Sequence, residues 1–141
     1  MRVVIMGCGR VGAWLAAELY HGGHQVCILD PDEENFRRLP PELRDSGENG
    51  GQGIAVVGDG TQQEDLVRAG IEDADVFVAT LQRDTPNLLA AQMAQHLYNV
   101  SRVVCRLNDD ERQEMYEDLG LHVVNATRLV AEAMLHALQE E

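Results

Sequence analysis

The sequence predicts an α/β protein built on one parallel sheet with helices on both faces. Three observations carry that prediction. Short apolar runs alternate along the chain with stretches of helical periodicity, the pattern of repeated β–α units. The first run, residues 1–6, opens directly into Gly7-Cys8-Gly9-Arg10-Val11-Gly12. A second run, Gln25-Val-Cys-Ile-Leu29, closes on Asp30, about 20 residues beyond the glycines, where a dinucleotide-binding βαβ unit carries its ribose-reading acid. The 141 residues suffice for one domain with a core and are too few for two.

Each element has its own justification. Residues 2–6 read as the first strand. A helix follows from about Arg10 to His21, with Val11, Leu15 and Leu19 at helical spacing as its inner face, and Gly22-Gly23 stops it. Trp14 lies off that stripe, so it caps the core edge or faces a partner. The second strand is about 25–29. Asp30-Pro-Asp-Glu-Glu then starts a helix with acids in its first turn, ending by Pro40-Pro41. Residues 42–53 have loop composition and read as a surface excursion. Residues 54–57 are the third strand, followed by Gly58-Asp59-Gly60. Thr61-Gln-Gln-Glu64 is a capping box for a short helix ending at Gly70. Residues 74–80 are the fourth strand. Thr85 and Pro86 open the next helix as N-cap and first-turn residue, and Leu88, Leu89, Met93 and Leu97 are its apolar positions. Residues 102–107 form the fifth strand. A helix runs from Asp109 to near Gly120, residues 121–124 form the sixth strand, and Thr127 caps a final helix. Right-handed crossovers and the position of the glycines give the order 3-2-1-4-5-6, a Rossmann-like doubly wound sheet in a single domain, residues 1–141.

Composition narrows the function. A net charge of −13 disfavours nucleic acid and anionic membrane surfaces, which demand basic patches. No apolar run has the length to span a bilayer, and the chain opens on a strand, so a cytoplasmic protein without direct membrane insertion is expected. Cys8, Cys27 and Cys105 fall in or beside strands and read as reduced thiols; Cys8 is either redox-sensitive or a small residue tolerated in a tight loop. The chain contains no lysine, which removes a phosphate-binding Gly-Lys-Ser/Thr loop and a Tyr-x-x-x-Lys pair. His21-x-x-His24 is an uninformative pair at a helix end, so neither catalytic nor metal-ligating residues are assigned.

Ligands of doubly wound sheets bind outside the carboxyl ends of the strands. Those ends carry Gly7 to Gly12, Asp30, Gly58, Asp59, Gly60, Thr80, Leu81, Gln82 and Arg106. Gly7 permits the turn out of the strand, Gly9 lets a pyrophosphate approach, and Gly12 lets the helix lie close. The phosphates belong at the helix N-terminus, where free N–H groups and the dipole favour anions. Asp30 suits ribose hydroxyls and repels a 2′-phosphate, or it caps the following helix. Asp59 sits near an adenine or forms its own turn. Arg10 reaches phosphates, or is an exposed helix residue. Arg106, closing a buried strand, needs a partner: phosphate, Asp84 or Asp109. From Leu129 to Leu138 only Glu132 and His136 are polar, which leaves a helix apolar nearly all round and predicts that residues 126–141 pack on a partner subunit.

The sequence resembles the TrkA-N, or regulator of potassium conductance (RCK) N-terminal, domain family over nearly its whole length. The resemblance rests on Val3-Val-Ile-Met-Gly-Cys-Gly-Arg-Val-Gly12, Val56-Val-Gly-Asp-Gly-Thr61, Ala69-Gly-Ile-Glu-Asp-Ala-Asp75, Asp84-Thr-Pro-Asn87, Val104-Cys-Arg106 and Arg128-Leu-Val-Ala-Glu-Ala-Met134. It implies a ligand-gated assembly on a membrane potassium channel or transporter subunit. It implies NAD, NADH, ATP, ADP or AMP as ligand, and a last helix that crosses to a neighbouring subunit in a homodimer or higher oligomer. It also implies that Arg10 reaches a γ-phosphate and that Arg106 contacts ligand. Two features depart from the family. Asp84-Thr85-Pro86-Asn87 stands where Asp-Glu-x-Asn is frequent, and neither a C-terminal regulatory domain nor a membrane pore is present in this sequence. The expected function is therefore a nucleotide-binding regulatory subunit rather than an enzyme. The alternative is a small NAD-dependent oxidoreductase, or the cofactor half of one, and a third reading is a scaffold whose site is empty or holds a permanently bound nucleotide.

Overall fold

In the computed structural model, described over residues 1–44 and 54–140, six parallel strands form one sheet in the order β3-β2-β1-β4-β5-β6. The strands are β1 (Arg2–Met6), β2 (Gln25–Asp30), β3 (Ala55–Val57), β4 (Val76–Ala79), β5 (Arg102–Leu107) and β6 (His122–Asn125). The helices are α1 (Arg10–His21), α2 (Pro41–Arg44), α3 (Gln63–Arg68), α4 (Asp84–His96), α5 (Gln113–Asp118) and α6 (Ala126–Gln139). The doubly wound fold and strand order match the sequence reading. The register sets Met6 beside both Leu29 and Ala79, Asp30 beside Val57, and Arg106 beside Val124, so the carboxyl ends share one edge.

The central strands are apolar at successive positions because both faces are covered. On one face Val3, Ile5 and Ile28 pack with Ala13 and Ala16 of α1, and with Phe36, Leu39 and Leu43. On the other, Val4, Met6, Leu29 and Phe77 pack with Leu66 of α3 and Ala90, Ala91 and Ala94 of α4.

Which helix face is inward differs from expectation. In α1 the buried residues are Gly12, Ala13 and Ala16. Val11 is exposed, while Leu15 and Leu19 are half-buried flanks. In α4 the buried residues are Asn87, Ala90, Ala91 and Ala94, with Leu89 and Leu97 exposed. Both helices lie so close to the sheet that only small side chains fit beneath them. Trp14 is 67% exposed and does not cap the core edge.

Several helix starts also differ. The stretch after Asp30 is a 3₁₀ turn, Glu33–Arg38, capped by Asp32, which accepts the Glu34 N–H at 3.0 Å. Residues 42–44 are not loop but belong to α2, with Leu43 fully buried; the remainder of the expected 42–53 loop lies outside the described residues. The Thr61 capping box does not form. Thr61 turns back to donate to Asp59 Oδ1 at 2.7 Å, and Gln62 precedes α3 without a side-chain bond. α4 begins one residue before Thr85, at Asp84, whose carboxylate serves a different element. Asn125, not Thr127, caps α6, its Oδ1 accepting the Arg128 N–H at 2.9 Å. At α6 the short Asn125 side chain reaches the third helical amide, the bond an N-cap residue makes, while the starts of α3 and α4 carry no side-chain cap.

α6 has no buried residue. Leu129, Val130, Met134, Leu135 and Leu138 are all more than half exposed, Leu138 at 83%. No helix among the described residues is long and apolar enough to cross a membrane.

Candidate functional site

The glycine loop is held rigidly by its neighbours. Gly7 has φ +105°, a conformation L side chains rarely adopt, and a Cβ there would fall 2.6 Å from Thr80 Oγ1. The Thr80 hydroxyl is shared between the carbonyl oxygens of Met6 at 2.9 Å and Gly7 at 3.1 Å, which fastens the end of β4 to the loop. A Cβ at Gly12 would lie 1.8 Å from the Gly7 carbonyl oxygen, so α1 rests directly on the strand exit. Gly9 is the N-cap of α1, supplies no side-chain cap, and has open space where a Cβ would stand. The first amides of a helix lack intrahelical acceptors, so this end combines free donors, the positive dipole end and room for an anion. These glycines fit a bound phosphate: the cradle is open at Gly9 and closed at Gly7 and Gly12.

Asp30 is 4% exposed. Its Oδ2 accepts the Cys8 N–H at 2.8 Å, and its Oδ1 accepts from Asp32 N at 2.8 Å and Asn35 Nδ2 at 3.0 Å. Of its roughly four lone-pair positions three are therefore taken. It ties the glycine loop to the turn after β2 and caps that turn at once. The Cys8 thiol is buried and donates to Asn35 O at 3.3 Å. Burial pushes the thiol up to about 11, the Asp30 charge adds to the rise, and Arg38 opposes it. That favours the small-residue reading of Cys8 over a reactive thiolate.

Gly58 donates its N–H to Asp30 O at 3.1 Å. The Asp59 carboxylate serves its own turn through Thr61. A Cβ at Gly60 would meet Met6 Sδ at 2.2 Å, so Gly60 is a packing glycine. Arg10 and Val11 are exposed on the first turn of α1, and no bond among the described residues holds the Arg10 guanidinium.

At the other side of the edge, Arg106 finds neither Asp84 nor Asp109. Its Nε donates to Asn108 Oδ1 at 3.2 Å and its Nη1 to Thr80 O at 3.3 Å, both uncharged acceptors. Asp84 instead accepts from Asn108 N, Asn108 Nδ2 and Asp109 N. Fully buried Asn87 accepts from Leu81 N and donates to Leu81 O and Arg106 O, pinning β4's exit to β5's end. Gln82 is exposed, and its carbonyl accepts from Asn108 Nδ2 at 2.8 Å. Asn35 and Asn108 join the site without belonging to the glycine fingerprint. The only signal for Asn108 was an amide placed just after a buried strand that ends near an arginine.

The sheet edge thus gathers all fourteen candidate residues, although Gly60, Asp59 and Thr80 act mainly as structure. A groove of about 430 Å³ lined by Gln113, Glu117 and His122 lies at the start of β6, at the opposite end of that strand. Among the described residues no cluster of His, Cys, Asp or Glu could hold a metal.

A parallel doubly wound sheet with a glycine-built cradle and an acid closing β2 defines a domain of the dinucleotide-binding fold. More specifically, the chain belongs to the TrkA-N domain family, whose pattern matches residues 3–126. It is 41% identical over 138 residues to the Trk system potassium uptake protein TrkA of Streptomyces coelicolor, covering 98% of this chain and 58% of that protein. The chain therefore spans little more than half of that relative. Among solved structures it superposes on the TrkA-N domain of the inner membrane protein ybaL from Escherichia coli with a TM-score of 0.80, at 22% identity, over 98% of this chain and 96% of that one. It also superposes on GsuK bound to ADP with a TM-score of 0.77, at 24% identity, over 98% of this chain and 34% of that one. Both likenesses concern the fold.

Proposed function

We propose that this chain is the cytoplasmic nucleotide-sensing domain of a regulator of potassium uptake, taking an adenine nucleotide or NAD(H) at the carboxyl edge of its sheet. The observation that carries the reading is the cradle itself. The uncapped N-terminus of α1 opens at Gly9, beside the exposed Arg10 cation and across the loop from Asp30. Gly7 to Gly12 would hold the phosphates, Asp30 the ribose, the Gly58–Gly60 loop the adenine side, and Thr80 to Gln82 with Arg106 the distal part of the ligand. The buried Asp30 charge disfavours a 2′-phosphate, so NAD is preferred over NADP. The name of the 41%-identical Streptomyces protein supports potassium uptake, and the ADP in the GsuK structure supports the ligand class.

The reading includes a second copy. α6 turns five large apolar side chains to solvent and buries none. Its partner is another chain of the same kind, and Trp14 and Val11 on α1 offer a further apolar patch. A membrane transporter subunit would read the change in how two such domains meet.

The test is calorimetric titration of ATP, ADP, AMP, adenosine, NAD and NADH into the wild-type and Arg10→Ala proteins. At least one nucleotide binds the wild type. Arg10→Ala lowers the ATP-over-ADP preference by about tenfold, the worth of one charge-assisted hydrogen bond, and leaves adenosine binding intact. Absence of binding by every adenine nucleotide would overturn the reading. An unchanged ATP/ADP ratio would remove the role of Arg10.

A further inference from the structure

We infer that Asn108 and Thr127 form a relay that couples the ligand side of the sheet to the direction in which α6 leaves the domain. The inference rests on the nucleotide reading of the same edge, and it assigns roles to two residues that the glycine fingerprint does not include.

α6 has no buried side chain, so apolar packing within its own domain does little to fix its direction. Four polar bonds tie its start to the rest of the domain. The Thr127 hydroxyl donates to Asn108 O at 2.8 Å. The Asn125 amide accepts from Arg128 N at 2.9 Å and donates to Asp110 Oδ1 at 2.7 Å and to Gln113 Oε1 at 3.0 Å. Arg128 pairs with Asp110 at 3.0 Å on an exposed surface. An ordinary hydrogen bond nets about 1 kcal/mol, and an exposed ion pair less. A helix held this way turns when one tie is strained or lost.

Asn108 is the residue that belongs to both ends. Its side-chain oxygen accepts from Arg106 Nε, its Nδ2 donates to Gln82 O and Asp84 Oδ1, and its own N–H donates to Asp84 Oδ1. Its carbonyl holds Thr127. A phosphate or other anionic group at the edge offers Arg106 a charged acceptor, roughly twice as strong as the neutral amide. Arg106 then leaves Asn108, the side-chain amide loses one of its fixed partners, and the backbone carbonyl of Asn108 itself shifts with it. The ligand thereby has different affinity for the two α6 directions, which is the condition for shifting their populations.

The test is hydrogen–deuterium exchange of the 126–139 amides, with and without saturating ADP, ATP or NADH, in wild type, Thr127→Val and Thr127→Ser. Thr127 is exposed, so neither substitution threatens the fold. Calorimetry on the same samples establishes binding first. In the wild type a bound nucleotide changes α6 exchange by about fivefold or more, the lower end of ordinary coupling. Thr127→Val still binds nucleotide but its α6 response falls to within about twofold of none, while Thr127→Ser, which keeps the hydroxyl, retains the wild-type response. Binding without an α6 response in the wild type overturns the relay, as does an equal response in Thr127→Val or a lost response in Thr127→Ser. Absence of binding in calorimetry instead overturns the nucleotide reading beneath it.

Discussion

Gly9 and Gly12 stand three positions apart and answer oppositely to an added methyl. At Gly12 a Cβ meets the Gly7 carbonyl oxygen at 1.8 Å, a backbone atom that cannot swing aside. Gly12→Ala should cost about 3 kcal/mol and lower Tm by about 10 °C. At Gly9 nothing lies within 4 Å of the position a methyl would take, and φ is −77°. Gly9→Ala should change stability by about 1 kcal/mol or less, yet weaken nucleotide binding about tenfold, because the methyl stands where a phosphate approaches. Thermal melts and calorimetry on both variants check the pair; a destabilised Gly9→Ala or a fully stable Gly12→Ala would refute the division of roles. These glycines were legible in the sequence because each does one stereochemical job at a fixed offset from the strand. Arg106 was not: the sequence pointed to phosphate or to the acids Asp84 and Asp109, whereas within the chain two amide-type oxygens hold its half-buried guanidinium.

At the level of elements, the order of strands and helices was readable, since alternation of apolar runs with glycine and proline stops is a strong signal. The inner faces of α1 and α4 were harder. Counting large apolar residues selects Val11 and Leu89, which are exposed, while Ala13, Ala16, Ala90 and Ala94 do the packing. Close helix–sheet approach reverses the usual size rule. For α6 a nearly all-apolar sequence pointed to packing on a partner subunit, and within its own domain the helix buries no side chain. Compared at concentrations where both are monomers, the Met134→Asp/Leu138→Asp double variant should unfold within about 0.5 kcal/mol of the wild type, because both side chains are exposed on the single domain. It should raise the dimer dissociation constant about a hundredfold in sedimentation equilibrium. A wild-type chain that sediments as a monomer at micromolar concentration would defeat the dimer.

The whole molecule carries a titration signature in its cysteines. Burial pushes the thiols of Cys8, Cys27 and Cys105 up to about 11, with Asp30 adding at Cys8 and Asp84 at Cys105. The folded chain keeps these protons at a pH where the unfolded chain, near 9, releases them. Stability from this source is complete below pH 9 and is lost as pH rises toward 11. Urea midpoints measured from about pH 8 to about pH 11 should fall, and fall less steeply in a Cys27→Ala/Cys105→Ala variant; identical slopes would exclude the thiols as the cause.

The ties around the glycine loop have one more consequence, which concerns the timing and heat of binding. Thr80, Asp30 and Asn35 fix the loop through bonds made within the chain itself. A ligand arriving there finds its donors already in place and loses little chain entropy in using them. Association at this end should then be limited by diffusion and charge rather than by folding of the loop, with a heat-capacity change no larger than the ligand's own buried area requires. Slow, temperature-dependent phases in the binding kinetics therefore belong to some other part of the chain.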